Sequence, residues 1–385
     1  MLAAVSLAAC TSGPERALSG ASGPKVAASP QDPVLLVDGM PSAAEAVSAS
    51  VDWASPLTVT SPGRRVTSVV ARGPDGSVDG QLAADAWTSS ETLIPAATYQ
   101  LAVTVSAADG RSASHLVSVR TRPAGSLLNA TIGTADNEVV GVGEPVVVYF
   151  DKPVRSRSQR EQVEARLSVV SRPAVVGAWH WVNEDEVHYR PAQFWAAGTT
   201  LSVAVDLQRL RLDGTRTWGS GGHRSTYRIG SSLISTVDVA AHTMTVRRGG
   251  VLLRTLRVST GRDKYPTKGG VHIVLEKQAD QLFDSQTVGI PTASPDGYFE
   301  HLPWSVRISD GGAFVHANPA TVRFQGSQNV SHGCVNLSLS DAEWYFHLAR
   351  RGDVVNVMHA SVGPQLSDPG MADWNLSFAD WKSGH

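Results

Sequence analysis

Large apolar residues alternate with polar or small ones along much of the chain after residue 34, and this period of two constrains the fold most. A clear example is a pair of runs on either side of the turn signal Asp109-Gly110: Tyr99, Leu101, Val103 and Val105, then His115, Val117 and Val119. Successive side chains of a β-strand point to opposite faces, so such runs predict antiparallel strands with one buried face. The chain is therefore predicted to be mainly β.

A second set of alternating residues follows between Gly- and Pro-rich turns: Val146, Val148 and Phe150, then Trp179 and Trp181, then Leu201, Val203 and Val205. The segments 97–103 and 199–205 match in pattern and lie about 100 residues apart, which is the size of an immunoglobulin-like sandwich. We predict two immunoglobulin-like β-sandwich modules, at 34–124 and 125–230. Trp179 and Trp181 fall on one face of a predicted strand, where packing is favoured over a sugar-stacking platform.

The region 231–358 also begins with a strand pattern. Met244 and Val246 lead into the turn signal Arg-Arg-Gly-Gly, and the β-rich run 251–258 returns as the second arm of a hairpin would. This region is therefore predicted to be a further β-rich domain.

One short helix is predicted near the end of that domain. The segment 340–343 reads as a capping box, and Trp344 and Leu348 lie four apart on one helical face before Gly352 ends the run. The remaining residues, 359–385, are treated as a C-terminal extension.

The N-terminal residues 1–10 form a short apolar segment that ends in small residues before Cys10, and no other stretch is apolar over a length that could span a bilayer. Leu-Ala-Ala-Cys at 7–10 resembles the lipobox of a bacterial lipoprotein signal, which implies cleavage before Cys10 and a lipid on that cysteine. The alternative is an Ala-rich N-terminus with an incidental cysteine. Residues 11–33 are mostly Gly, Ser, Ala and Pro and are predicted to be a flexible tether.

Composition narrows the possible partners. The 33 Lys and Arg residues are balanced by 35 Asp and Glu residues, for a net charge of −2. Binding to nucleic acid requires a concentrated basic face, so no nucleic acid is expected as a partner. The chain has two cysteines, too few for a disulfide framework or a four-thiolate zinc site.

The second cysteine, Cys334, lies in the stretch VSHGCVNLS. A lone cysteine can be a nucleophile, a metal ligand or a small apolar residue of the core. The chain has no HExxH pattern and no paired CxxC, so no metal is expected. The polar neighbours of Cys334 fit a loop better than a core, which favours a chemical role.

A nucleophilic thiol needs a base, because the thiol is mostly protonated at neutral pH. Four histidines lie close to Cys334 in the sequence: His301, His316, His332 and His347. His332 would have to fold back on a tight loop, whereas His316 ends a probable strand and could approach from a neighbouring one. These residues alone leave the choice of base open.

The pairing of His316 with the segment SHGCVN at 331–336 resembles the signature of the L,D-transpeptidases, the cysteine enzymes that cross-link bacterial peptidoglycan. Three further segments resemble the catalytic domain of that family: STG at 259–261 with Pro266-Thr267 and Gly270, FDSQTVG at 283–289, and SPDGY at 294–298. DWN at 373–375 with Trp381 resembles the C-terminal extension of its multidomain mycobacterial-type members, which also carry two immunoglobulin-like modules and a membrane-proximal anchor. The resemblance covers nearly all of the chain past the tether and is strongest at 231–358.

The resemblance implies a role for each matching residue. Cys334 would be the nucleophile, His316 the general base that later acts as the acid, and the carbonyl of Ala317 the group that orients the imidazole. The oxyanion hole would be formed by the amides of His332, Gly333 and Cys334, with the Tyr298 hydroxyl as a further donor. Ser331, His332 and Asn336 would shape the loop.

Two positions depart from the family pattern. Val288 stands where close relatives often carry Tyr, and Phe283 stands where they often carry Met. Both fall in the segment that forms a lid over the site in the family, so we expect them to take part in substrate positioning. Trp374, Phe378 and Trp381 have helical spacing, for which packing onto the body is favoured over a partner-binding helix.

The resemblance implies that the protein forms 3→3 cross-links between peptidoglycan stem peptides through a thioacyl enzyme, without a cofactor. Carbapenems should acylate the same thiol. The alternatives are an L,D-carboxypeptidase that passes the thioester to water and a non-catalytic wall-binding lipoprotein. The expected location is the cell envelope, lipid-anchored on the outer face of the cytoplasmic membrane and facing the periplasm or the wall.

Overall fold

A computed structural model describes residues 35–42, 47–212, 216–367 and 373–384. The chain divides into two compact units, with the boundary between Arg122 and Pro123. Both units are built mostly of strands, which confirms the mainly β class. No described helix is long and apolar enough to cross a membrane. Cys10 and the predicted tether at 11–33 lie outside the described residues.

The first unit is a sandwich of two sheets. Its described strands are β1 (Leu35–Val37), β2 (Met40–Ser42), β3 (Val47–Val51), β4 (Pro56–Thr60), β5 (Arg65–Gly73), β6 (Gly76–Val78), β7 (Gly80–Ala83), β8 (Ala86–Thr92), β9 (Thr98–Ser106) and β10 (Ser112–Thr121). One sheet has the order β2-β1-β4-β8-β7 and the other β3-β10-β9-β5-β6. The predicted hairpin is confirmed, because β9 and β10 pair in antiparallel register around Gly110, whose φ is +83°.

The second unit begins with another two-sheet sandwich. Its described elements are β11 (Ser126–Leu128), β12 (Ala130–Ile132), β13 (Val139–Val140), β14 (Val146–Phe150), α1 (Arg157–Glu164), β15 (Leu167–Arg172), β16 (Gly177–Trp181), β17 (Glu186–Pro191), β18 (Thr200–Asp206), β19 (Thr217–Gly219) and β20 (Gly222–Ile229). The two main sheets have the orders β12-β14-β17-β16 and β13-β20-β18-β15. Strands β9 and β18, which carry the repeated pattern, both lie inside a sheet and alternate buried with less buried residues.

The two tryptophans of β16 pack as predicted. Trp181 is buried and stacks on Phe150 with ring centroids 5.4 Å apart. Trp179 packs at the edge of the core with its ring centroid 5.1 Å from that of Tyr189. Neither ring is left as an open platform for a sugar.

The rest of the second unit forms a domain of two sheets and one main helix. Its described elements are β21 (Leu233–Asp238), β22 (Thr243–Arg248), β23 (Val251–Arg257), β24 (Gly270–Ile273), β25 (Glu276–Asp284), β26 (Phe299–Arg307), β27 (Phe314–Ala317), β28 (Val335–Leu337), α2 (Leu339–Leu348) and β29 (Val354–Met358), with 3₁₀ turns at Ser285–Val288 and Pro319–Phe324. The sheets have the orders β23-β22-β21-β29-β24 and β25-β26-β27-β28. Their shared core includes Val237, Met244, Val315 and Tyr345.

Helix α2 starts two residues earlier than the sequence pattern predicts. Its N-cap is Ser338, whose hydroxyl accepts the Asp341 amide at 3.2 Å, so the prediction of a capping box at 340–343 is wrong. The reason is that the chain turns into the helix directly from β28, and Ser338 is the first residue able to cap it. Ala342 and Tyr345 form the most buried face, while Trp344 and Leu348 pack at its margin.

The C-terminal segment packs onto the second sandwich through helix α3 (Phe378–Ser383). Trp381 is fully buried, stacks on His180 with centroids 4.4 Å apart, and donates its indole N–H to the Ala178 carbonyl at 2.9 Å. The Arg190 guanidinium lies 4.5 Å from the Trp381 ring centroid. The prediction that this tail packs on the body is thus confirmed.

Ionic and polar contacts also join the second sandwich to the rest of its unit. His188 lies between two carboxylates, 2.6 Å from Asp373 and 2.7 Å from Glu186. Burial alone lowers the pKa of His188, but the two carboxylates outweigh it and raise the pKa to about 10. Trp374 donates its indole N–H to the Gly143 carbonyl at 2.7 Å.

Candidate active site

Cys334 stands immediately before β28, at the junction of the motif loop and the sheet. Strand β28 runs parallel to β27, with Val315 beside Val335 and His316 beside Asn336. This pairing brings Cys334 and His316 to the same cavity, which has a volume of about 190 Å³. The long-range partner predicted for the thiol therefore reaches it through strand pairing.

His316 is oriented by its own neighbour in the chain. Its side chain is 2% exposed, and Nδ1 lies 2.9 Å from the carbonyl oxygen of Ala317. A carbonyl accepts only, so Nδ1 carries the proton and Nε2 is left as the acceptor that a general base needs. The Phe283 ring lies 4.9 Å from the imidazole, between centroids, and helps to close the site.

Both members of the pair are neutral at pH 7. Burial lowers the pKa of His316 to about 4, although its hydrogen bond to Ala317 opposes this. Burial raises the pKa of Cys334 to about 11, and a hydrogen bond with the Phe314 backbone offsets only part of that. The imidazole can therefore take the thiol proton only as sulfur begins to bond to the substrate.

The loop around Cys334 is held by two hydroxyl groups. Ser331 Oγ donates to the Cys334 carbonyl at 2.7 Å and accepts the Gly333 amide at 3.1 Å. Thr267 Oγ1 donates to the Gly333 carbonyl at 2.9 Å and accepts the Gly261 amide at 2.8 Å. Gly333 has φ +119°, a conformation that only glycine adopts readily, so this turn depends on the absence of a side chain.

The three amides expected in the oxyanion hole differ in their hydrogen bonds. The Gly333 amide is already engaged with the Ser331 hydroxyl, which turns it inward into the loop. Within the described part of the chain, no group accepts a hydrogen bond from the amides of His332 or Cys334. These two amides remain the backbone donors available to a developing oxyanion.

His332 is held in a polar network and is not placed as the base. Its Nε2 lies 2.8 Å from Nη2 of Arg262, and the same Nη2 lies 2.5 Å from Asp296. Burial and the positive charge of Arg262 lower the pKa of His332. The Tyr298 and Tyr265 rings flank the imidazole with centroids 4.9 and 5.0 Å away.

Two clefts meet at the thiol. The smaller is the 190 Å³ cavity shared with His316, and the larger, about 560 Å³, is lined on one side by Lys264 and Lys268. Cys334, His332 and Tyr298 line both clefts. A nucleophile at the junction of two clefts can react with one substrate from each side.

Tyr298 is placed as a donor rather than an anion. Burial and the nearby Cys334 raise its pKa to about 12, so the phenol stays protonated at neutral pH. Its amide donates to the Ser285 hydroxyl at 3.1 Å and its carbonyl accepts the Ser285 amide at 3.0 Å, which fixes the residue at the start of β26.

The two departures from the family pattern have different surroundings. Phe283 is 8% exposed and packs against Phe314 and His316, so it forms a wall of the smaller cavity. Val288 is 43% exposed at the end of a 3₁₀ turn and lines the larger cleft opposite Gly312.

Asn336 and Ala317 contribute from behind the site. Asn336 is 1% exposed, donates its side-chain N–H to Thr321 Oγ1 at 3.2 Å and exchanges backbone hydrogen bonds with Ser259. Ala317 is fully buried, and its carbonyl oxygen lies 2.9 Å from Nδ1 of His316, as the family resemblance implies. Both residues position the machinery from the sheet side.

The other candidate histidines lie elsewhere. His301 is exposed on β26 and pairs with Asp280 at 3.1 Å, while His347 is exposed on α2 with its ring centroid 5.3 Å from that of Trp304. Among the described residues, no cluster of three or more His, Cys, Asp or Glu residues is arranged to hold a metal ion.

Comparison with known proteins agrees with this geometry. The family model for the L,D-transpeptidase catalytic domain matches residues 233–357, and the model for a bacterial Ig domain matches residues 48–211. L,D-transpeptidase 2 of Mycobacterium tuberculosis is 34% identical over 343 residues, which are 88% of this chain and 82% of the relative. This chain belongs to the L,D-transpeptidase family.

Other L,D-transpeptidases are similar to this chain over about 60% of its length. L,D-transpeptidase 1 of Mycobacterium tuberculosis is 37% identical over 229 residues, covering 60% of this chain and 84% of the relative. A solved L,D-transpeptidase in complex with imipenem is 34% identical with a TM-score of 0.52, covering 59% of this chain and 97% of that one. Mycobacterium tuberculosis L,D-transpeptidase 3, solved with a faropenem-derived adduct, is 32% identical with a TM-score of 0.51, covering 59% and 96%.

Several residues of this L,D-transpeptidase site escaped sequence reasoning. Arg262 and Glu300 lie at or beside the clefts, yet each is a common surface residue type with no distinctive spacing. Asp296 fell within the matched segment at 294–298, but its ion pair with Arg262 is seen only in the structure. Thr267 fell within a matched segment, but its hold on the Gly333 carbonyl appears only in three dimensions. The signal available in advance was their closeness in sequence to matched family segments.

Proposed function

We propose that this protein is a peptidoglycan L,D-transpeptidase that joins two stem peptides through a 3→3 cross-link. The observation that carries the proposal is the arrangement of Cys334 and His316. The Cys334 thiol and the His316 imidazole line one cavity at the junction of two clefts, in a chain of this family. The hydrogen bond from Nδ1 of His316 to the Ala317 carbonyl leaves Nε2 as the acceptor.

The first half-reaction acylates the thiol. Sγ of Cys334 attacks the carbonyl carbon that links the L-centre of diaminopimelate to the terminal D-alanine of a tetrapeptide donor, and Nε2 of His316 takes the thiol proton. Negative charge on the carbonyl oxygen is stabilised by the His332 and Cys334 amides and by the Tyr298 hydroxyl. His316 then gives its proton to the D-alanine nitrogen, the C–N bond breaks, and a thioester remains on Cys334.

The second half-reaction transfers the acyl group. The neutral side-chain amine of a second stem attacks the thioester carbon, and its proton passes by way of His316 to the departing sulfur of Cys334. The C–S bond breaks as the new amide bond forms, which regenerates the starting thiol. A covalent intermediate of this kind predicts ping-pong kinetics.

Purified disaccharide-tetrapeptide provides a direct test by mass spectrometry. Wild-type protein should release D-alanine and produce a cross-linked dimer, whereas Cys334→Ala should leave the substrate unchanged. His316→Ala should also abolish the dimer, and a fully active His316→Ala variant would assign the base to another residue. Unchanged substrate with the wild-type protein would refute the proposal.

An L,D-carboxypeptidase would use the same thioester but pass it to water. It would yield a tripeptide without a dimer in the same experiment. Transfer is favoured here because a second cleft reaches Cys334, which gives an acceptor amine a place to bind and exclude water.

One further expectation belongs to this proposal. Carbapenems should acylate Cys334, since a solved relative is in complex with imipenem and another carries a faropenem-derived adduct. The adduct should be visible as a mass increase that Cys334→Ala abolishes.

We also propose that the protein is lipid-anchored at Cys10 on the outer face of the cytoplasmic membrane, facing the periplasm or wall. The support is the lipobox-like segment at 7–10 in the sequence. Protein extracted from membranes should carry a lipid mass on Cys10, and its absence there would refute the anchor.

A further inference from the structure

The smaller cleft at Cys334 contains one carboxylate that the catalytic mechanism does not use. Glu300 lies on β26 and lines the 190 Å³ cavity together with Cys334 and His316. In the described part of the chain, no Lys, Arg or His forms an ion pair with it. A carboxylate without a cationic partner in a reaction cavity is available to a ligand.

Glu300 shares one face of its strand with neighbours that line the same cavity. Tyr298, Glu300 and Leu302 alternate along the chain, so they share one face of the strand, and all three line the cavity. Phe299 lies between them on the opposite face and is 66% exposed. Phe283, which packs against His316, is the cross-strand partner of Glu300.

Glu300 is also the one carboxylate among the described residues that line this cavity. The other titratable residues that line it are Tyr298, His316, His332 and Cys334. The pKa values of about 12, about 4 and about 11 make Tyr298, His316 and Cys334 neutral at pH 7, and the pKa of His332 is lowered as well. The smaller cleft therefore has a negative character set by Glu300.

The larger cleft has the opposite character. Lys264 and Lys268 lie in its lining, and although Lys264 is paired with Asp296 at 2.5 Å, no ion pair joins Lys268 to another described residue. The donor reacts beside the carboxylate of its terminal D-alanine, whereas the acceptor reacts through its side-chain ammonium group after that group has lost a proton to solvent. The charges of the two clefts match these two ends separately.

We propose that Glu300 is a specificity residue that binds the side-chain ammonium of the acceptor stem in the smaller cleft. The proposal rests on the function given above and assigns the acceptor to the Glu300 side and the donor carboxylate to the Lys268 side. Glu300 performs no covalent step. It raises the local concentration of acceptor at the thioester and so favours amine over water as the second substrate.

The test compares Glu300→Gln with wild type in two assays. In the first, the acceptor concentration is varied with disaccharide-tetrapeptide as donor, and dimer and tripeptide are counted by mass spectrometry. Glu300→Gln should raise the acceptor KM, and lower the dimer-to-tripeptide ratio, about two- to fivefold, the range for an exposed charge pair. In the second, the rate of carbapenem adduct formation on Cys334 should stay within about twofold of wild type.

Ionic strength distinguishes a charge effect from a structural one. Because salt screens charges over about 10 Å at 0.1 M, the acceptor KM of wild type should rise with added salt and that of Glu300→Gln should not. Asp280→Asn is the matched control, since it removes an exposed carboxylate of the same sheet that pairs with His301. It should behave as wild type in all three measurements.

The outcomes separate the two proposals. Glu300→Gln could form the adduct normally and show the same acceptor KM, product ratio and salt response as wild type. That result would overturn the role of Glu300 and leave the transpeptidase proposal intact. Loss of adduct formation in Glu300→Gln would also overturn it, because the residue would then act in the first half-reaction or in folding. A wild-type protein that forms neither adduct nor product would instead refute the proposed function.

Discussion

The neutral state of the Cys334–His316 pair predicts how the thiol reacts with an alkylating reagent as the pH changes. The pKa of Cys334 is about 11 and that of His316 about 4, both because of burial. A difference of about seven corresponds to a proton-transfer cost on the order of 10 kcal/mol, at about 1.4 kcal/mol per pKa unit. Attraction between the resulting charges recovers about 4 kcal/mol at 4 Å and an effective dielectric constant near 20, so the neutral pair still predominates.

The thiolate fraction follows from the thiol pKa. At pH 7 it is on the order of 10⁻⁴, and it rises about tenfold for each pH unit up to pH 9. Iodoacetamide reacts with the thiolate, so its second-order rate constant with Cys334 should increase about 100-fold between pH 7 and pH 9. A preformed thiolate–imidazolium pair would react at a nearly constant rate over the same range.

The assay measures the labelled fraction of the Cys334 peptide by mass spectrometry, which separates it from any label on Cys10. His316→Ala serves as the control, because burial would still set the thiol pKa and the slope with pH should persist. Free cysteine measured in parallel corrects for the reagent. A rate constant for Cys334 that is flat between pH 6 and pH 9 would show that the pair is ionised in the resting enzyme and that the argument from burial is mistaken.

Three further outcomes are expected. Gly333→Ala places a side chain on a residue whose backbone φ is +119°, which costs about 1–3 kcal/mol. Because the strain should move the donor amides, the rate of carbapenem acylation, measured by intact-mass kinetics, should fall about 100-fold or more. Trp381→Ala removes a fully buried ring and should lower the free energy of unfolding of the second unit by about 3–5 kcal/mol in a urea titration. The control Lys382→Ala changes an exposed neighbour and should alter the free energy of unfolding by less than about 0.5 kcal/mol. His188 has a folded-state pKa raised to about 10, so its contribution to stability is complete below about pH 6.5 and is lost as the pH rises toward 10. The free energy of unfolding, measured by thermal unfolding, should therefore fall by up to a few kcal/mol over this pH range. His188→Gln should abolish this pH dependence.

The prediction of a neutral thiol also applies to acylation by carbapenems. The solved relatives with imipenem and a faropenem-derived adduct are similar to this chain over 59% of its length. If the resting thiol of this chain is neutral, acylation depends on His316 taking the proton during the attack. Carbapenem acylation should therefore be impaired in His316→Ala even though the thiol itself is intact.

Much of the fold was predictable from periodicity. Alternation over two residues identified β9 and β10, and the same pattern at 199–205 identified β18. These predictions succeed because a half-buried strand needs an apolar residue at every second position wherever it pairs. The tail prediction succeeded for a related reason, since an aromatic residue as large as Trp381 is seldom left in water.

Elements specified by distant contacts were less predictable. Strand β28 has only three residues and forms because β27 pairs with it, so no local sequence pattern predicts it. Its presence moves the start of α2 back to Ser338, which is why the capping box at 340–343 misplaced the helix. A short-range signal can identify a capping residue type, but the preceding strand decides which serine caps.

The candidate site divides in the same way. The sequence by itself predicted Cys334 as the nucleophile, and its resemblance to the family predicted His316 as the base, because the residue types and order from His316 to Cys334 are distinctive. Only the tertiary structure decided that the Gly333 amide turns inward, that Arg262 and Asp296 hold His332, and that Glu300 and the thiol line one cavity. Those outcomes depend on hydrogen bonds and cavity walls contributed by separate strands, and common polar residues leave no trace of such contacts in a linear pattern.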